Sequence, residues 1–494
     1  MGLDRGFLEF DRIEPKHEPV VIRLKHFNEF IETLSDDEAY RQAARCMDCG
    51  IPFCQHACPL HNVMPDFQQY VTDGDYERAW NVLADTNNFP EITGRICPAL
   101  CEEGCTLGLH RKAVGIKSVE RKVAEHAFEH GLVHPVLAAE KTGCRVAVVG
   151  SGPAGLACAQ QLARAGHTVT VYEKMDKAGG LLRYGIPDFK LSKEVLDRRL
   201  DQLVREGVRF VLSTRVAGEG GSELEKGVHD WSGETVPVKK LLAENDALVL
   251  AVGAEVPRDL PLPGRELAGI HFALDFLIAQ NRANAGGGTN PINVRGKNVV
   301  VIGGGETASD CIGTANRLGA KSVTQLDYHH ELPEVADLMR EWPDWRRIKR
   351  TSTSQEEGCV RLFSTSTTAF KGKTKLEAVE TVEVKWGPGR RITPVKGTGK
   401  TIPADVVLIA MGYAHPTHTL VHTLGLTTDR RGSLETPVEG LQAWRTACEG
   451  VFAAGDGRSG QSLVVNAVAE GRQCAEAVNR WLEEKRGEAA PLWR

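Results

Sequence analysis

The sequence predicts an α/β fold in which a helical, cysteine-dense segment precedes two strand–glycine-turn–helix units. Three observations predict it. Seven of the 13 cysteines fall between Cys46 and Cys105. An apolar strand at 145–149 runs into Gly150-x-Gly152-x-x-Gly155, then a helical pattern over 156–165, then a second strand ending at Glu173. The same order returns over 298–328: strand, Gly303-x-Gly305-x-x-Ala308, helix, strand, with Asp327 aligned to Glu173.

Composition sets the frame. At about 150 residues per domain, 494 residues suggest roughly three domains. Lys+Arg of 60 against Asp+Glu of 65 leaves a net charge of -5, which argues against nucleic-acid binding. No apolar run approaches the roughly 20 residues of a membrane helix. The first ten residues carry charges where a secretion signal needs an apolar core. Position 6 is Gly, not the Ser or Thr of a myristoylation signal. A soluble cytoplasmic protein is expected.

The dense cysteines read Cys46-x2-Cys49-x4-Cys54-x3-Cys58, then, about 40 residues on, Cys97-x3-Cys101-x3-Cys105. Closely spaced thiolates beside turn-forming Pro52, Pro59 and Pro98 suit iron–sulfur ligation, which needs several thiolates on one cluster. Structural zinc is the alternative, but zinc sites usually pair two CxxC knuckles and only Cys46/Cys49 makes one. Two [4Fe–4S] clusters need eight ligands, and the segment has seven Cys. His56, His61, His110 and Glu120 are the candidates for an eighth, and spacing does not choose among them. Cys144, Cys158, Cys311, Cys359, Cys448 and Cys474 stand singly and read as small buried hydrophobes.

Each glycine unit is Rossmann-like. Its glycines provide a tight turn, close approach to a pyrophosphate and helix–strand packing, and an acid about 20 residues on accepts from a ribose hydroxyl. Two such units in one chain imply a flavin in one and a nicotinamide in the other. Gly450-Val-Phe-Ala-Ala-Gly-Asp456 resembles the segment of two-dinucleotide flavoproteins whose Asp contacts the ribityl chain of FAD. The first unit is therefore assigned to FAD, split around the second. The strands before Gly253 and Gly412 look like the two crossovers. On the nicotinamide side, Ala308 is common in NADPH users, whereas Asp327 suits a free ribose 2′-hydroxyl. His329 and His330 stand where an Arg pair would, and Arg340, Arg346 and Arg347 are the cations that could fold back. The balance leans to NADH.

The expected layout is an α-helical domain over 1–140, an FAD domain over 141–289 and 413–494, and a nicotinamide domain over 290–412. Helices are expected over 63–83, with Phe67, Tyr70, Val71, Ala79, Trp80 and Leu83 as packing residues, and over 117–130, with Glu120 on the first turn. The Gly-rich stretch 284–289 is the linker candidate. Residues 219–234 read as a polar loop and 385–401 as a hairpin region.

With these motifs in hand, the chain resembles the small (β) subunit family of bacterial glutamate synthase along nearly its whole length. The matching stretches are Cys46-Met-Asp-Cys-Gly-Ile-Pro-Phe-Cys54, Gly94-Arg-Ile-Cys-Pro-Ala-Leu-Cys101, Gly179-Gly-Leu-Leu-Arg-Tyr-Gly-Ile-Pro187 and Gly303-Gly-Gly-Glu-Thr-Ala308. The N-terminal part also resembles that of dihydropyrimidine dehydrogenase. The resemblance implies two [4Fe–4S] clusters: Cys46, Cys49, Cys54 and Cys105 for one, and Cys58, Cys97, Cys101 and Glu120 for the other. It implies FAD at Gly150, Gly152, Gly155, Glu173, Gly180, Arg183 and Asp456. It implies NADPH or NADH at Gly303, Gly305, Glu306, Thr307, Ala308 and Asp327. The implied activity is oxidation of NAD(P)H and delivery of electrons, in a hetero-oligomer, to a large FMN-containing subunit that makes L-glutamate from glutamine and 2-oxoglutarate. Ferredoxin or a quinone is the alternative acceptor. No CxxC follows the first glycine loop, residue 2 is Gly instead of a Cys nucleophile, and the layout has no room for an FMN barrel of about 250 residues. The chain alone is not expected to make glutamate.

Overall fold

A computed structural model of the chain describes residues 5–219, 227–229 and 233–487. Residues 1–4, and most of the expected polar loop 219–234, lie outside the described residues. The N-terminal part is helical. Its longer helices are Asp36–Ala43, Met64–Thr72, Tyr76–Thr86, Pro90–Ile96 and Ile116–Glu129. The helix expected over 63–83 is two helices. Gly74, at φ +73°, turns the chain, and Asp75 caps the second helix by accepting from the Arg78 N–H at 3.0 Å. Phe67, Val71, Ala79, Trp80 and Leu83 are buried, while Tyr70 is half-buried.

Two five-stranded parallel sheets follow. In the first the order is Val451–Ala453, Ala247–Leu250, Arg145–Val149, Thr168–Tyr172, Arg209–Val211. In the second it is Ile270–Phe272, Val406–Ile409, Asn298–Ile302, Ser322–Leu326, Val360–Leu362. Each sheet has its glycine loop at the C-terminal end of its central strand, the place where such sheets bind ligands. Both central strands are near-continuous runs of valine, as burial on both faces requires. The strands Thr365–Gly372, Leu376–Trp386, Ile392–Pro394 and Lys400–Pro403 form an antiparallel sheet inserted before the last strand of the second unit.

The second sheet starts earlier than the sequence suggested. Ile270–Phe272 pairs with Val406–Ile409, and Ala273, Phe276 and Leu277 of the helix Ala273–Asn284 belong to the second core. The Gly-rich stretch 284–289 is the turn after that helix, not the passage between units. The passages lie at 251–258 and 410–415 and run antiparallel: Arg258 N–H donates to Gly412 O at 2.9 Å and Ala414 N–H to Val256 O at 2.8 Å. Among the single cysteines, Cys144, Cys158, Cys311 and Cys474 are buried, whereas Cys359 and Cys448 are half-buried at strand ends.

One hydrophobic core joins Phe67, Leu83 and Val119 of the helical part to Leu156, Val468 and Val478 of the first sheet unit. The joint also carries buried polar pairs. Asn88 donates to Gln160 at 2.7 Å, Arg472 donates to Asn88 at 2.7 Å, and the buried Arg199 guanidinium grips Glu91 at 2.8 and 2.7 Å. Within the first unit, the helices Pro153–Arg164 and Val464–Lys485 cross so closely that a Cβ on Gly471 would overlap the Ala154 carbonyl. Gly471→Val must push these helices apart. Overpacking of this kind costs about 1–3 kcal/mol. Thermal unfolding of the purified variant is expected to show a lower midpoint by several degrees, and an unchanged midpoint would show that the crossing yields freely.

Candidate functional site

Seven thiols and one carboxylate sort into two neighbouring cavities of the helical part. Cys46, Cys49, Cys54 and Cys105 line the first, with Met47, Pro52, Phe53, Leu107 and Val114 among its apolar walls. The Cys46 loop is pinned by Arg45, whose guanidinium donates to the carbonyls of Phe10, Lys112 and Ala113 at 3.1, 2.6 and 2.8 Å. Burial pushes the Cys46 and Cys54 thiols up to about 12. Gln68 lines the same cavity, is 1% exposed, and has neither amide atom paired.

Cys58, Cys97, Cys101 and Glu120 line the second cavity, with Asn62, Asn87, Thr93, Leu100 and Val465. Glu120 sits on the first turn of Ile116–Glu129. Its carboxyl is pushed up to about 7 by burial, against the opposing hydrogen bond from Thr93. Thr93 Oγ1 donates to Oε1, and Asn87 Nδ2 donates to the same oxygen at 3.1 Å. Cys97 Sγ accepts from the Ala99 N–H at 3.4 Å, with Ala99 held in the left-handed region at φ +66°. Burial raises Cys58 to about 11 and Cys97 to about 12, and raises Cys101 as well. His56, His61 and His110 are exposed and line neither cavity.

The donor sets suit multi-iron groups. A zinc ion needs ligand atoms about 2.0–2.3 Å from one point, and among the described residues no three His, Cys, Asp or Glu side chains are placed to share one ion. The donors instead surround cavities. Thiols raised by burial would release their protons to solvent on binding a metal, whose positive charge would then stabilise the thiolates in place of water. An unpaired buried amide such as Gln68 costs about 1–3 kcal/mol, and a sulfide or thiolate in the first cavity would be an acceptor for it. Met64, 1% exposed, lines both cavities and forms part of the wall between them. The sequence reading missed Met64, Gln68, Asn87 and Thr93. For Gln68 there was a signal: it stands at i+4 from Met64 and i−3 from Val71, a polar residue on a buried helical stripe.

The first glycine loop assigns each glycine a different task. Gly150, at φ +100°, passes so close to the next strand that a Cβ would overlap the Ala251 carbonyl oxygen. A Cβ on Gly155 would overlap Gly150 O, so helix and strand pack directly. On the Cβ side of Gly152 no atom other than its chain neighbours lies within 4 Å, which leaves that side of the helix start open to a pyrophosphate. Glu173 is buried, and its carboxylate accepts from Ser151 N–H at 3.0 Å, Ser151 Oγ at 2.5 Å and Met175 N–H at 2.9 Å. Gly180 lies over Gly152. Arg183 is buried, donates to Ala178 O at 2.6 Å and pairs with Asp197. Asp456 opens the short helix Asp456–Ser459 after the strand Val451–Ala453, at the C-terminal edge of the same sheet. Burial, with the nearby Glu470 charge, pushes its carboxyl up to about 7. These residues fit a flavin dinucleotide.

The second loop repeats the plan. A Cβ on Gly303 would overlap Ala410 O, and Gly305 is open. Ala308, fully buried, fills the place of Gly155. Asp327 lies against Gly304 and accepts from the His329 N–H and shares a hydrogen bond with His329 Nδ1, at 2.9 and 2.8 Å. The His329 ring stacks on Trp386 at 5.4 Å and 8°, and Trp386 Nε1 donates to Tyr328 O at 2.9 Å. Glu306 is exposed and Thr307 half-buried at the helix start. The candidate arginines do not fold back on Asp327. Arg346 pairs with Glu103 of the helical part, and Arg340 pairs with Asp337 at 3.4 Å. Arg347 is exposed.

Comparison with known proteins agrees with this geometry. Residues 144–471 match the family "Pyridine nucleotide-disulphide oxidoreductase", and residues 23–132 match "Dihydroprymidine dehydrogenase domain II, 4Fe-4S cluster". A Mycobacterium tuberculosis protein named glutamate synthase [NADPH] small chain is 43% identical over 99% of this chain and 97% of its own length. The Bacillus subtilis protein of the same name is 38% identical over 98% of this chain and 99% of its own. The Saccharomyces cerevisiae protein named glutamate synthase [NADH] is 38% identical over 97% of this chain but only 22% of its own length. In fold, the chain is similar to M. tuberculosis FprA in complex with NADPH, with a TM-score of 0.50, 19% identity, and coverage of 71% of this chain and 87% of that one. No helix among the described residues is long and apolar enough to cross a membrane. The chain is an oxidoreductase of the FAD, nicotinamide and 4Fe–4S type, and it belongs to the glutamate synthase small-chain family.

Proposed function

We propose that the chain is the electron-input subunit of a cytoplasmic glutamate synthase. It would oxidise NAD(P)H and deliver the electrons to a large FMN-containing subunit that makes L-glutamate from glutamine and 2-oxoglutarate. In this reading Gly150, Gly152, Gly155, Glu173, Gly180, Arg183 and Asp456 hold FAD. Gly303, Gly305, Glu306, Thr307, Ala308 and Asp327 hold the nicotinamide dinucleotide. Cys46, Cys49, Cys54 and Cys105 hold one [4Fe–4S] cluster, and Cys58, Cys97, Cys101 and Glu120 the second. A flavin accepts the electron pair of a hydride, and iron–sulfur clusters carry single electrons.

The observation that carries the reading is the pair of adjoining four-donor cavities beside the flavin-type unit. Val465, on the helix that follows Asp456, is in the wall of the second cavity, and Met64 is in the wall of both. Val465 thus links the helix after Asp456 to the second cavity, and Met64 links the second cavity to the first. Cys58, Cys97, Cys101 and Cys105 are buried, and Cys46, Cys49 and Cys54 are half-buried. A separate large partner is supported by the S. cerevisiae relative, in which the matching part is 22% of one longer chain.

NADH is the expected donor. Asp327 stands on Gly304 with His329 as its partner, and no arginine reaches it among the ion pairs of the described residues. A carboxylate there accepts from a ribose 2′-hydroxyl and repels a 2′-phosphate.

Anaerobic affinity purification of the tagged chain from its host, assayed for NADH and NADPH oxidation that requires both glutamine and 2-oxoglutarate, tests the function. Activity with a large co-purifying chain is expected. A flavin- and iron-containing chain without that activity would move the acceptor to ferredoxin or a quinone. Cys54→Ala is expected to lose roughly half of the bound iron while keeping FAD and NAD(P)H-driven dye reduction; loss of flavin reduction would contradict it. Asp327→Ala should weaken NADH use by on the order of 10-fold, the value of one hydrogen bond to a charged group, and NADPH use less. Steady-state KM values for both nucleotides read this directly, and an equal change in both would remove Asp327 from ribose recognition.

A further inference from the structure

The segment that packs on the first glycine loop, 180–190, also grips the helix that follows the second. Gly180 lies over Gly152, and the short helix Leu181–Tyr184 follows. The carbonyls of Tyr184 and Ile186 then accept from Asn281 Nδ2 at 2.8 and 3.1 Å. Asn281 belongs to Ala273–Asn284, a helix of the second unit. Phe189, 1% exposed, fits against Gly313 of the helix Glu306–Arg317 and lies 3.7 Å beneath the Arg317 guanidinium. Lys190 completes the grip. Its ammonium meets Asp310 at 2.7 Å, Glu306 at 3.2 Å and Ser309 Oγ at 3.3 Å.

These partners lie on the first turns of the helix that begins right after the open Gly305. A helix start favours anions, so an ammonium there is out of place unless carboxylates hold it. Glu306 and Asp310, four residues apart, would repel each other and an incoming pyrophosphate. Lys190 offsets both; it is 19% and Asp310 11% exposed, so little water screens that pair, whereas Glu306 is 83% exposed and adds less. A buried pair also resists sliding, because separating it leaves an unpaired charge in low dielectric.

We propose that Lys190 is a positioning residue for hydride transfer: its bridge to Asp310 and Glu306 sets where the nicotinamide-side loop stands relative to the flavin-side loop. This rests on the reading of 303–308 as the nicotinamide site. Asn281 and Phe189 bring the two units together, and Lys190 ties the segment to the start of the helix that follows the loop.

The test is anaerobic stopped-flow reduction of the FAD-loaded protein by NADH and NADPH. Lys190→Met with Asp310→Asn removes both charges, so no unpaired buried ion remains to unfold the joint. FAD and iron content should match wild type and the nucleotide Kd should stay within about threefold. The limiting rate of flavin reduction should fall on the order of 10- to 100-fold, as a misplacement near 1 Å would cause. Lys190→Arg, which keeps the charge, should recover most of the rate. A double variant reduced as fast as wild type overturns the positioning role alone. So does a change confined to Kd, or a fall matched by lost FAD. A wild-type flavin that neither nucleotide reduces would instead overturn the proposed function, and this inference with it.

Discussion

The close crossing of Pro153–Arg164 and Val464–Lys485 is the contact on which the rest of the molecule depends. It is possible because Gly471 has no side chain opposite the Ala154 carbonyl. The first of these helices starts at the open Gly152, and the second starts with Val464 and Val465, the latter in the wall of the Glu120 cavity. The helical part then packs on the same pair, through the shared core and through Asn88 with Gln160 and Arg472. A single helix pair therefore fixes the flavin-type loop, the second cavity and the seat of the cysteine domain. A shift at the crossing would move all three together.

Apolar burial alone would leave these parts free to slide, since it is non-directional. Buried ion pairs supply the direction. Arg199 with Glu91 ties the helical part to the helix Lys193–Arg205. Arg317 with Glu357, joined by Arg23, ties the N-terminal segment to the second unit. Glu29 and Glu125, bridged by Arg95, reach the first unit by accepting from the Ser192 N–H at 2.7 Å and pairing with Arg198. Each pair costs desolvation that its attraction only partly offsets, so its net stabilisation is small. Its geometric demand is large, because every alternative packing strands a charge. We read the placement of these pairs at joints between units as setting orientation, with hydrophobic area supplying the adhesion.

How much was legible in the sequence follows from the range of each constraint. Gly150 and Gly303 were legible because a tight turn is a local demand on a few residues, and strand, helix and acid follow in order. The cysteine pattern pointed to iron–sulfur chemistry for the same reason. Its partition was not legible from spacing, because Cys105 lines the cavity of Cys46, Cys49 and Cys54 while Cys97 and Cys101 line that of Cys58. Chain order and spatial order cross there, and only the family resemblance suggested the grouping. The boundary between the two units was misjudged at 284–289 because glycine density marks turns of every kind, and a three-residue strand such as Ile270–Phe272 has too short a period to detect. Asn281 and Lys190 lay in plain view but meet their partners across 97 and 120 residues.

If Glu120 is the eighth donor, as proposed, it needs more support than the seven thiols. A carboxylate is harder and more strongly hydrated than a thiolate, so burying it calls for hydrogen-bond donors in place of water. Thr93 and Asn87 provide them, and they are themselves held: Asn87 Nδ2 also donates to Thr93 Oγ1 at 2.8 Å, and Asn87 Oδ1 accepts from the Phe89 N–H at 2.9 Å. The three side chains form a closed network in which each member fixes the next. Both donors act on Oε1, which leaves Oε2 without a direct side-chain donor among these residues. A carboxylate fixed in this way presents one oxygen to the protein and keeps the other for the cavity. An exposed histidine such as His56 or His61, with no such support, would have to be ordered and desolvated by the metal alone.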